Sequence, residues 1–232
     1  MRLLRRLLLL FPLCLLATLA CAGSSQTATV APAVAPSVAP AVASDAAADT
    51  LLMDVRDADS TIQVELRYAT SNNFTGAVLP GYEGNTAYLR REAALALRRA
   101  QRDLRSQGLG LRIYDAYRPV RATLGMVDWA ERTDQVHYLD DGYIARRSQH
   151  NLGVAVDLTL VDLASGQPLE MGTPFDTFSE AAHTANATGL ARTNRGRLVR
   201  AMEREGWTNY AQEWWHFTFK VSNPVPFDRV IR

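Results

Sequence analysis

Several short stretches of the chain alternate between apolar and polar residues, which is the pattern of a half-buried strand. Residues 59–76 contain such an alternation in TIQVEL, and residues 109–119 (LGLRIYDAYRP) form a second β-prone run that ends at a proline. In VAVDLTL, residues 154–160, the large apolar side chains share one face, so Asp157 points from the other face. The aromatic segment EWWHFTFKV, residues 213–221, predicts the last strand.

Apolar residues recur at helical spacing in residues 85–108, which predicts a helix that ends at Gly108. Its apolar positions are Leu89, Ala93, Leu97, Ala100 and Leu104. A second helix is predicted from Pro119 to residue 133, and a third over residues 196–206. Because strands and helices alternate irregularly, with gaps of hairpin length near the C-terminus, we expect an α+β fold. A central antiparallel sheet flanked by helices would form a single domain.

The first fifty residues differ in composition from the rest of the chain. Residues 1–20 combine a basic start with a short apolar run, the layout of a secretory signal. The sequence around Cys21 favours a bacterial lipoprotein signal, in which Cys21 becomes the lipidated first residue of the mature protein; a plain signal with small residues at the cleavage site is the alternative. Residues 21–50 are rich in alanine and proline and predict an extended linker. Residues 51–232 are long enough for one folded domain.

Charge and cysteine content narrow the class of protein further. The formal net charge of the whole chain is +1, and loss of the three arginines in the leader takes it to −2. A near-neutral domain argues against a nucleic-acid partner, which calls for a basic face. The two cysteines are Cys14, inside the leader, and Cys21. We therefore expect no intramolecular disulfide in the mature protein, although its location is oxidising.

Three residues form a candidate metal site. His150 precedes Asp157 by seven residues, and a turn at 151–153 lets the two side chains converge. His216 begins the last strand on the polar face. Two histidines and one carboxylate are a common set of ligands for catalytic zinc. Glu213 lies three residues before His216, and because side chains so spaced in a strand would diverge, the chain is expected to turn between them.

Other polar residues carry weaker signals. His137 and His183 lie in polar, loop-like contexts and receive no function. Arg118 stands where a strand ends and a helix begins, a position from which a guanidinium could stabilise an oxyanion. A salt bridge from Arg118 to Asp115 is the alternative, which the residues alone favour.

Four segments resemble, in this order along the chain, those of the D-alanyl-D-alanine dipeptidases: IQVELRYATSNNFTG, YDAYRP, SQHNLGVAVDLTL and EWWHF. These are zinc enzymes related to the vancomycin-resistance dipeptidase, and the resemblance runs over residues 55–219. The patterns around the histidines are shared with D,D-carboxypeptidases, peptidoglycan endopeptidases and the Hedgehog signalling domain. The segment LRYATSNNFTG is narrower and points to the dipeptidase branch.

The resemblance implies a role for each residue of the candidate site. His150, Asp157 and His216 would hold one zinc ion per chain. Glu213 would be the general base, and Arg118 would stabilise the transition state. The resemblance also implies the α+β fold, with the zinc site on one face of the sheet.

The implied substrate is a small dipeptide, D-alanyl-D-alanine, hydrolysed to two D-alanines. Ser148 is expected to bind substrate or to support the zinc ligands, and Asp115 and Tyr117 are further candidates for substrate binding. The alternatives are a D,D-carboxypeptidase or endopeptidase that trims peptidoglycan stem peptides and, less favoured, a non-catalytic zinc-binding module. The leader predicts export to the bacterial cell envelope, with membrane contact through the N-terminal anchor or signal alone. The sequence leaves the oligomeric state open.

Overall fold

The computed structural model describes residues 41–232. The predicted signal and all but the end of the predicted linker lie outside these residues. In chain order, the helices and strands are α1 (Asp45–Leu51), β1 (Leu52–Asp54), α2 (Val55–Ala58), β2 (Gln63–Val64), β3 (Tyr88–Arg90), α3 (Arg91–Arg105), β4 (Leu109–Asp115), α4 (Val120–Arg132), α5 (His137–Asp140), β5 (Ala155–Asp162), α6 (Gly189–Glu203), β6 (Trp207–Asn209) and β7 (His216–Phe219). Within the described part of the chain, no helix combines the length and the apolar character needed to cross a membrane.

A five-stranded sheet with the order β2-β4-β5-β7-β6 forms the centre of the fold, and β1 and β3 form a separate two-stranded sheet. The pairs β4–β5, β5–β7 and β6–β7 are antiparallel. The edge pair β2–β4 is parallel, so the sheet is mixed rather than wholly antiparallel as predicted. The predicted α+β class is confirmed.

Strand β5 is the middle strand and is buried on both faces. Its apolar side chains, such as Leu158 and Leu160, join the hydrophobic core, against which helices α3 and α6 pack. Asp157 and Thr159 point to the other face, and both are buried as well. A side chain on this strand is therefore held rigidly, and the polar face of β5 can carry a site.

Several boundaries differ from those predicted. Helix α3 begins at Arg91, because residues Tyr88–Arg90 pair with β1 as strand β3. Leu89 is therefore a buried strand residue, although its spacing fits the helical stripe. Helix α6 begins at Gly189, seven residues before the predicted start, and β6 was not predicted as a strand.

The last residues of the predicted linker pack against the domain. Helix α1 begins after Ser44, whose side chain accepts a hydrogen bond from the Ala47 amide. Ala48 is fully buried, and Ala43 forms a bridge with Phe227 near the C-terminus. Through tertiary contacts that composition does not reveal, Ala43 and Ala48 are thus part of the folded domain.

Truncation of Leu97 tests the packing of α3 on the sheet. Leu97 is fully buried, so Leu97→Ala should lower the free energy of unfolding by about 2–5 kcal/mol. Leu124→Ala is a matched control on α4, because Leu124 is 57% exposed and its loss should change stability by less than about 0.5 kcal/mol. Urea unfolding measures the free energy of unfolding of both variants. Equal losses in the two would contradict the packing of Leu97 in the core.

Candidate metal centre

Three polar residues form a row across neighbouring strands of the central sheet. On β5, Asp157 pairs with Asp115 of β4 on one side and with His216 of β7 on the other. The register between β4 and β5 shifts between Ile113 and Asp115, and this irregularity brings Asp115 opposite Asp157. Directly opposed residues of neighbouring strands have their Cβ atoms about 5 Å apart, so the sheet itself brings these side chains together.

A tight turn brings His150 to the same place. Residues Gln149–Leu152 form one turn of 3-10 helix, whose N-terminus is capped by the side chains of Ser148 and Asn151. The turn ends at Gly153, where φ is +67° and an added Cβ would lie 2.6 Å from Leu52 Cδ2. Glycine is therefore required at this position, and the predicted turn between His150 and Asp157 is confirmed.

The ligand atoms of the three predicted metal-binding residues face one another. His216 Nδ1 lies 2.9 Å from Asp157 Oδ1 and 3.1 Å from His150 Nε2, and the third side of this triangle, from His150 Nε2 to Asp157 Oδ1, measures 3.4 Å. Atoms bound to a tetrahedral zinc at about 2.1 Å are separated by about 3.4 Å. The triangle therefore has the size of one face of such a coordination shell, and the cluster can hold a metal ion.

The surroundings of the cluster favour metal binding over a chance contact. His150 Nδ1 donates to the Ala116 carbonyl oxygen at 2.6 Å, which turns Nε2 toward the cluster. A metal-bound histidine commonly makes such a bond through its other nitrogen. Burial raises the pKa of Asp157, but the charges and hydrogen bonds of His150 and His216 outweigh burial and hold that pKa well below its usual range. Asp157 is thus an ionised acceptor.

Glu213 lies beside the triangle without belonging to it. The chain turns between Tyr210 and His216, as predicted, and the amide of His216 donates to the Glu213 carbonyl. Glu213 Oε2 is 3.9 Å from His216 Nδ1. Burial and the negative charge of Asp157 raise the pKa of Glu213 to about 8. A carboxyl group with a raised pKa can accept and return a proton near neutral pH.

Arg118 is buried between the metal cluster and the core. Its Nε donates to Asp115 Oδ2 at 2.9 Å, and one terminal nitrogen lies 2.8 Å from that oxygen and 3.8 Å from Asp157 Oδ2. Burial alone would lower the pKa of Arg118, but the charge of Asp115 outweighs it and the pKa is raised. Arg118 therefore forms the salt bridge that the residues alone favoured, and it also borders the site.

The cluster forms part of the wall of a cavity of about 370 Å³. This volume is at the small end of the range of about 300–1,000 Å³ typical of ligand pockets. The lining includes all the predicted metal-binding and catalytic residues, together with Ser148 and several aromatic side chains: Tyr68, Phe74, Tyr143, Phe178, Tyr210 and Trp215.

The structure does not bring Asp115 and Tyr117 to this cavity. Asp115 is fully buried and accepts hydrogen bonds from Arg118 and from the Tyr82 hydroxyl. The Tyr117 hydroxyl donates to the Arg229 carbonyl at 2.8 Å, and its ring packs near Phe227. Both residues therefore support the fold around the site, which corrects the prediction that they bind substrate. His137 and His183 are not part of the metal cluster.

Asp176 is a residue of the cavity that the sequence did not reveal. It follows Phe175 in a long irregular segment and has φ of +60°, a left-handed conformation. Its Oδ1 accepts a hydrogen bond from the Tyr68 hydroxyl at 3.0 Å, whereas the buried Oδ2 has no partner in residues 41–232. Burial and the charge of Asp157 raise the pKa of Asp176 well above its usual range. Without a positive partner such a carboxyl group favours its neutral form, and a cation beside it would favour the ionised form.

A buried cluster of two histidines and one carboxylate with an adjacent glutamate is typical of metal-dependent hydrolases. The family described as D-ala-D-ala dipeptidase matches residues 48–227, and the chain belongs to this family. The resemblance found in the sequence motifs is confirmed.

Curated relatives from several bacteria agree with this family. A D-alanyl-D-alanine dipeptidase of Enterococcus faecium is 35% identical over 71% of this chain and 89% of its own length. One of Escherichia coli is 33% identical over 76% of this chain and 89% of its own length. Among solved structures, the vancomycin resistance D,D-pentapeptidase VanY in complex with Zn(II) matches 70% of this chain and 80% of its own, with 15% identity and a TM-score of 0.39, which is too low to define the fold.

Removal of one ligand tests the metal centre. His216→Ala should lose the metal that the wild-type protein retains through gel filtration, because two ligands alone hold a divalent ion poorly. His183→Ala is the matched control, since His183 lies outside the cluster and pairs with the Tyr143 hydroxyl. Metal analysis by mass spectrometry gives the result. Equal metal content in the two variants would contradict the assignment of His216.

Proposed function

We propose that the protein is a zinc-dependent dipeptidase that hydrolyses D-alanyl-D-alanine to two D-alanines, with one zinc ion per chain. The observation that carries this proposal is the triangle of His150, Asp157 and His216 ligand atoms in the wall of a small cavity that also contains Glu213 and Arg118. The names of the relatives supply the substrate, and this geometry supplies the means to cleave it.

His150, Asp157 and His216 would hold the zinc. When bound, zinc polarises a carbonyl oxygen and lowers the pKa of water enough to generate a nucleophile near neutral pH. The protein fixes the direction of the ligands: Ala116 orients His150, and the pairing of β5 with β7 orients the other two. Nitrogen and carboxylate donors in this ratio are suited to zinc.

Glu213 acts as the general base in this proposal. Its carboxylate takes a proton from the attacking water and passes it to the amino group that leaves when the peptide bond breaks. Burial and the charge of Asp157 raise the pKa of Glu213, and the positive charge of a bound zinc would oppose this shift and favour the carboxylate form that accepts the proton. Glu213 is buried within the cavity wall, where it is shielded from bulk water.

Arg118 stabilises the negative charge that develops on the carbonyl oxygen. Its side chain borders the cavity beside Asp157, and its bonds to Asp115 hold the guanidinium in one orientation. A donor oriented before the reaction begins stabilises the transition state without a cost of reorganisation. Asp115 is thus a positioning residue.

Asp176 binds the free amino group of the dipeptide. Its unpartnered Oδ2 is a buried acceptor in a residue that lines the cavity, and an ammonium group beside it would favour the ionised form. In a longer peptide this nitrogen is acylated and carries no charge. Asp176 therefore supports a dipeptide as substrate.

A D,D-carboxypeptidase remains a second candidate, because a neighbouring pocket of about 330 Å³ shares Gln149, Thr208 and Thr218 with the cavity. This pocket offers room for a longer peptide chain. The two candidates differ in whether the nitrogen near Asp176 is charged, so an assay can separate them.

We also propose that the protein acts in the bacterial cell envelope. Support comes from the basic and apolar leader and from the alanine- and proline-rich residues 21–40, which suit a tether between an anchor and the domain. Cys21 would be the site of lipid attachment.

Growth of the producing cells with a fatty-acid analogue tests this proposal. The protein should take up the label when Cys21 is present and should stay unlabelled when Cys21 is replaced.

Release of D-alanine from two substrates tests the proposed function. The zinc-loaded protein should hydrolyse D-Ala-D-Ala and should act at least about tenfold less efficiently on a stem pentapeptide that ends in the same pair. In Asp176→Asn this preference should shrink, mainly through a higher KM for the dipeptide, because the charge that pairs with the amino group is lost. Equal or greater efficiency on the pentapeptide in the wild-type protein would establish the carboxypeptidase instead.

Glu213→Ala tests the general base. The variant should lose about 10²–10⁴-fold in kcat because proton transfer is lost, and it should retain its zinc because Glu213 is not among the cluster atoms. Glu180→Ala, which removes an exposed glutamate outside the cavity, is the control and should keep normal turnover. Normal kcat in Glu213→Ala would refute the role, and loss of zinc would show that Glu213 is a ligand.

A further inference from the structure

Charged side chains of both signs line the cavity. Three carboxyl groups, those of Asp157, Asp176 and Glu213, line it together with two arginines, Arg118 and Arg147. A dipeptide carries one positive end and one negative end. In the proposed function Asp176 pairs with the positive amino end, and the terminal carboxylate has no assigned partner.

Arg118 is already engaged by the protein. Two of its nitrogens bind Asp115 Oδ2, at 2.9 and 2.8 Å, and a third lies 3.3 Å from Met126 Sδ. Among residues 41–232, the other carboxylate within salt-bridge distance of Arg118 is that of Asp157. Its charge is thus largely compensated, and the proposed function already assigns it to the reacting carbonyl oxygen.

Arg147 is in a different situation. It is exposed, it lines the cavity, and no carboxylate in residues 41–232 lies within salt-bridge distance of its guanidinium. The neighbouring Arg146 has a partner, since one of its terminal nitrogens lies 3.3 Å from Glu131 Oε1. Of two adjacent arginines, one therefore forms a surface ion pair and the other borders the cavity with its charge unpaired in the described part of the chain.

The backbone on both sides of Arg147 is anchored near the metal cluster. Ile144 is buried and its amide donates to the Tyr138 carbonyl, which anchors the segment on one side. On the other side, Ser148 caps the turn that presents His150. Arg147 thus comes three residues before a metal ligand, on a segment held at both ends.

We infer that Arg147 binds the terminal carboxylate of the substrate and makes the enzyme selective for peptides with a free C-terminus. The inference rests on the proposed function and adds a specificity residue to it. A guanidinium binds a carboxylate through two parallel hydrogen bonds, and a dipeptide is short enough for both of its ends to lie within one small cavity. A substrate amidated at this end lacks the charge and would leave Arg147 unpaired.

The experiment compares D-Ala-D-Ala with its C-terminal amide, and cleavage of each is followed by chromatography with mass detection. The wild-type protein should prefer the free carboxylate by about tenfold or more in kcat/KM. Arg147→Ala should lose about tenfold on D-Ala-D-Ala through KM and change little on the amide, so that the preference disappears. Arg147→Lys should keep part of it, since the charge remains and the paired geometry is lost.

Arg146→Ala is the matched control, because it removes an adjacent arginine whose partner is Glu131, and it should leave the preference unchanged. Arg147 is exposed, so its removal should not alter the unfolding midpoint. An Arg147→Ala variant that keeps the wild-type preference, or that loses equally on both substrates, would overturn the inference while leaving the dipeptidase function intact. A wild-type protein that cleaves neither substrate would overturn the proposed function and this inference together.

Discussion

The buried ion pair between Arg118 and Asp115 is the interaction on which the site depends. Asp115 is fully buried and accepts from both Arg118 and the Tyr82 hydroxyl, while its Oδ2 lies 3.4 Å from His150 Nδ1. A buried charge is costly unless hydrogen bonds satisfy it, and this network satisfies it from several directions. The same pair places the guanidinium beside Asp157. Loss of either partner would therefore leave a buried charge unpaired next to the proposed metal ligands.

The sheet places two of the three proposed metal ligands, Asp157 and His216, beside this network. Asp115, Asp157 and His216 stand opposite one another on three adjacent strands, so backbone pairing fixes their spacing without help from loops. In the proposed function, loops supply the remaining roles. One carries Arg147 and leads into the turn of His150, and another carries Asp176. His150 and Glu213 also lie on turns, so in the proposed function irregular segments held by the sheet carry part of the chemistry as well as the recognition of the substrate.

The parts of the site that could be predicted are those encoded locally. The alternation in β5 and the glycine turn before it are short-range signals, and the motif resemblance pointed to the same residues. Asp176 could not be found in this way, because its bond to Tyr68 joins residues 108 positions apart and its segment has no periodicity. Tyr117 was misplaced because its motif lies next to Arg118 in sequence, whereas the chain directs the two side chains to different surroundings. Likewise, Leu89 fits a helical stripe but pairs in a strand, since tertiary pairing with β1 outweighs local spacing.

The central claim is that His150, Asp157 and His216 together hold one metal ion while Glu213 stays free. A crystal structure of the zinc-loaded protein, with anomalous difference maps on both sides of the zinc absorption edge, tests it most directly. We predict one zinc peak per chain. The ion should be bound by His150 Nε2, Asp157 Oδ1 and His216 Nδ1, with Glu213 outside bonding distance. A peak elsewhere in the domain, or one in which Glu213 replaces Asp157 as a ligand, would contradict it.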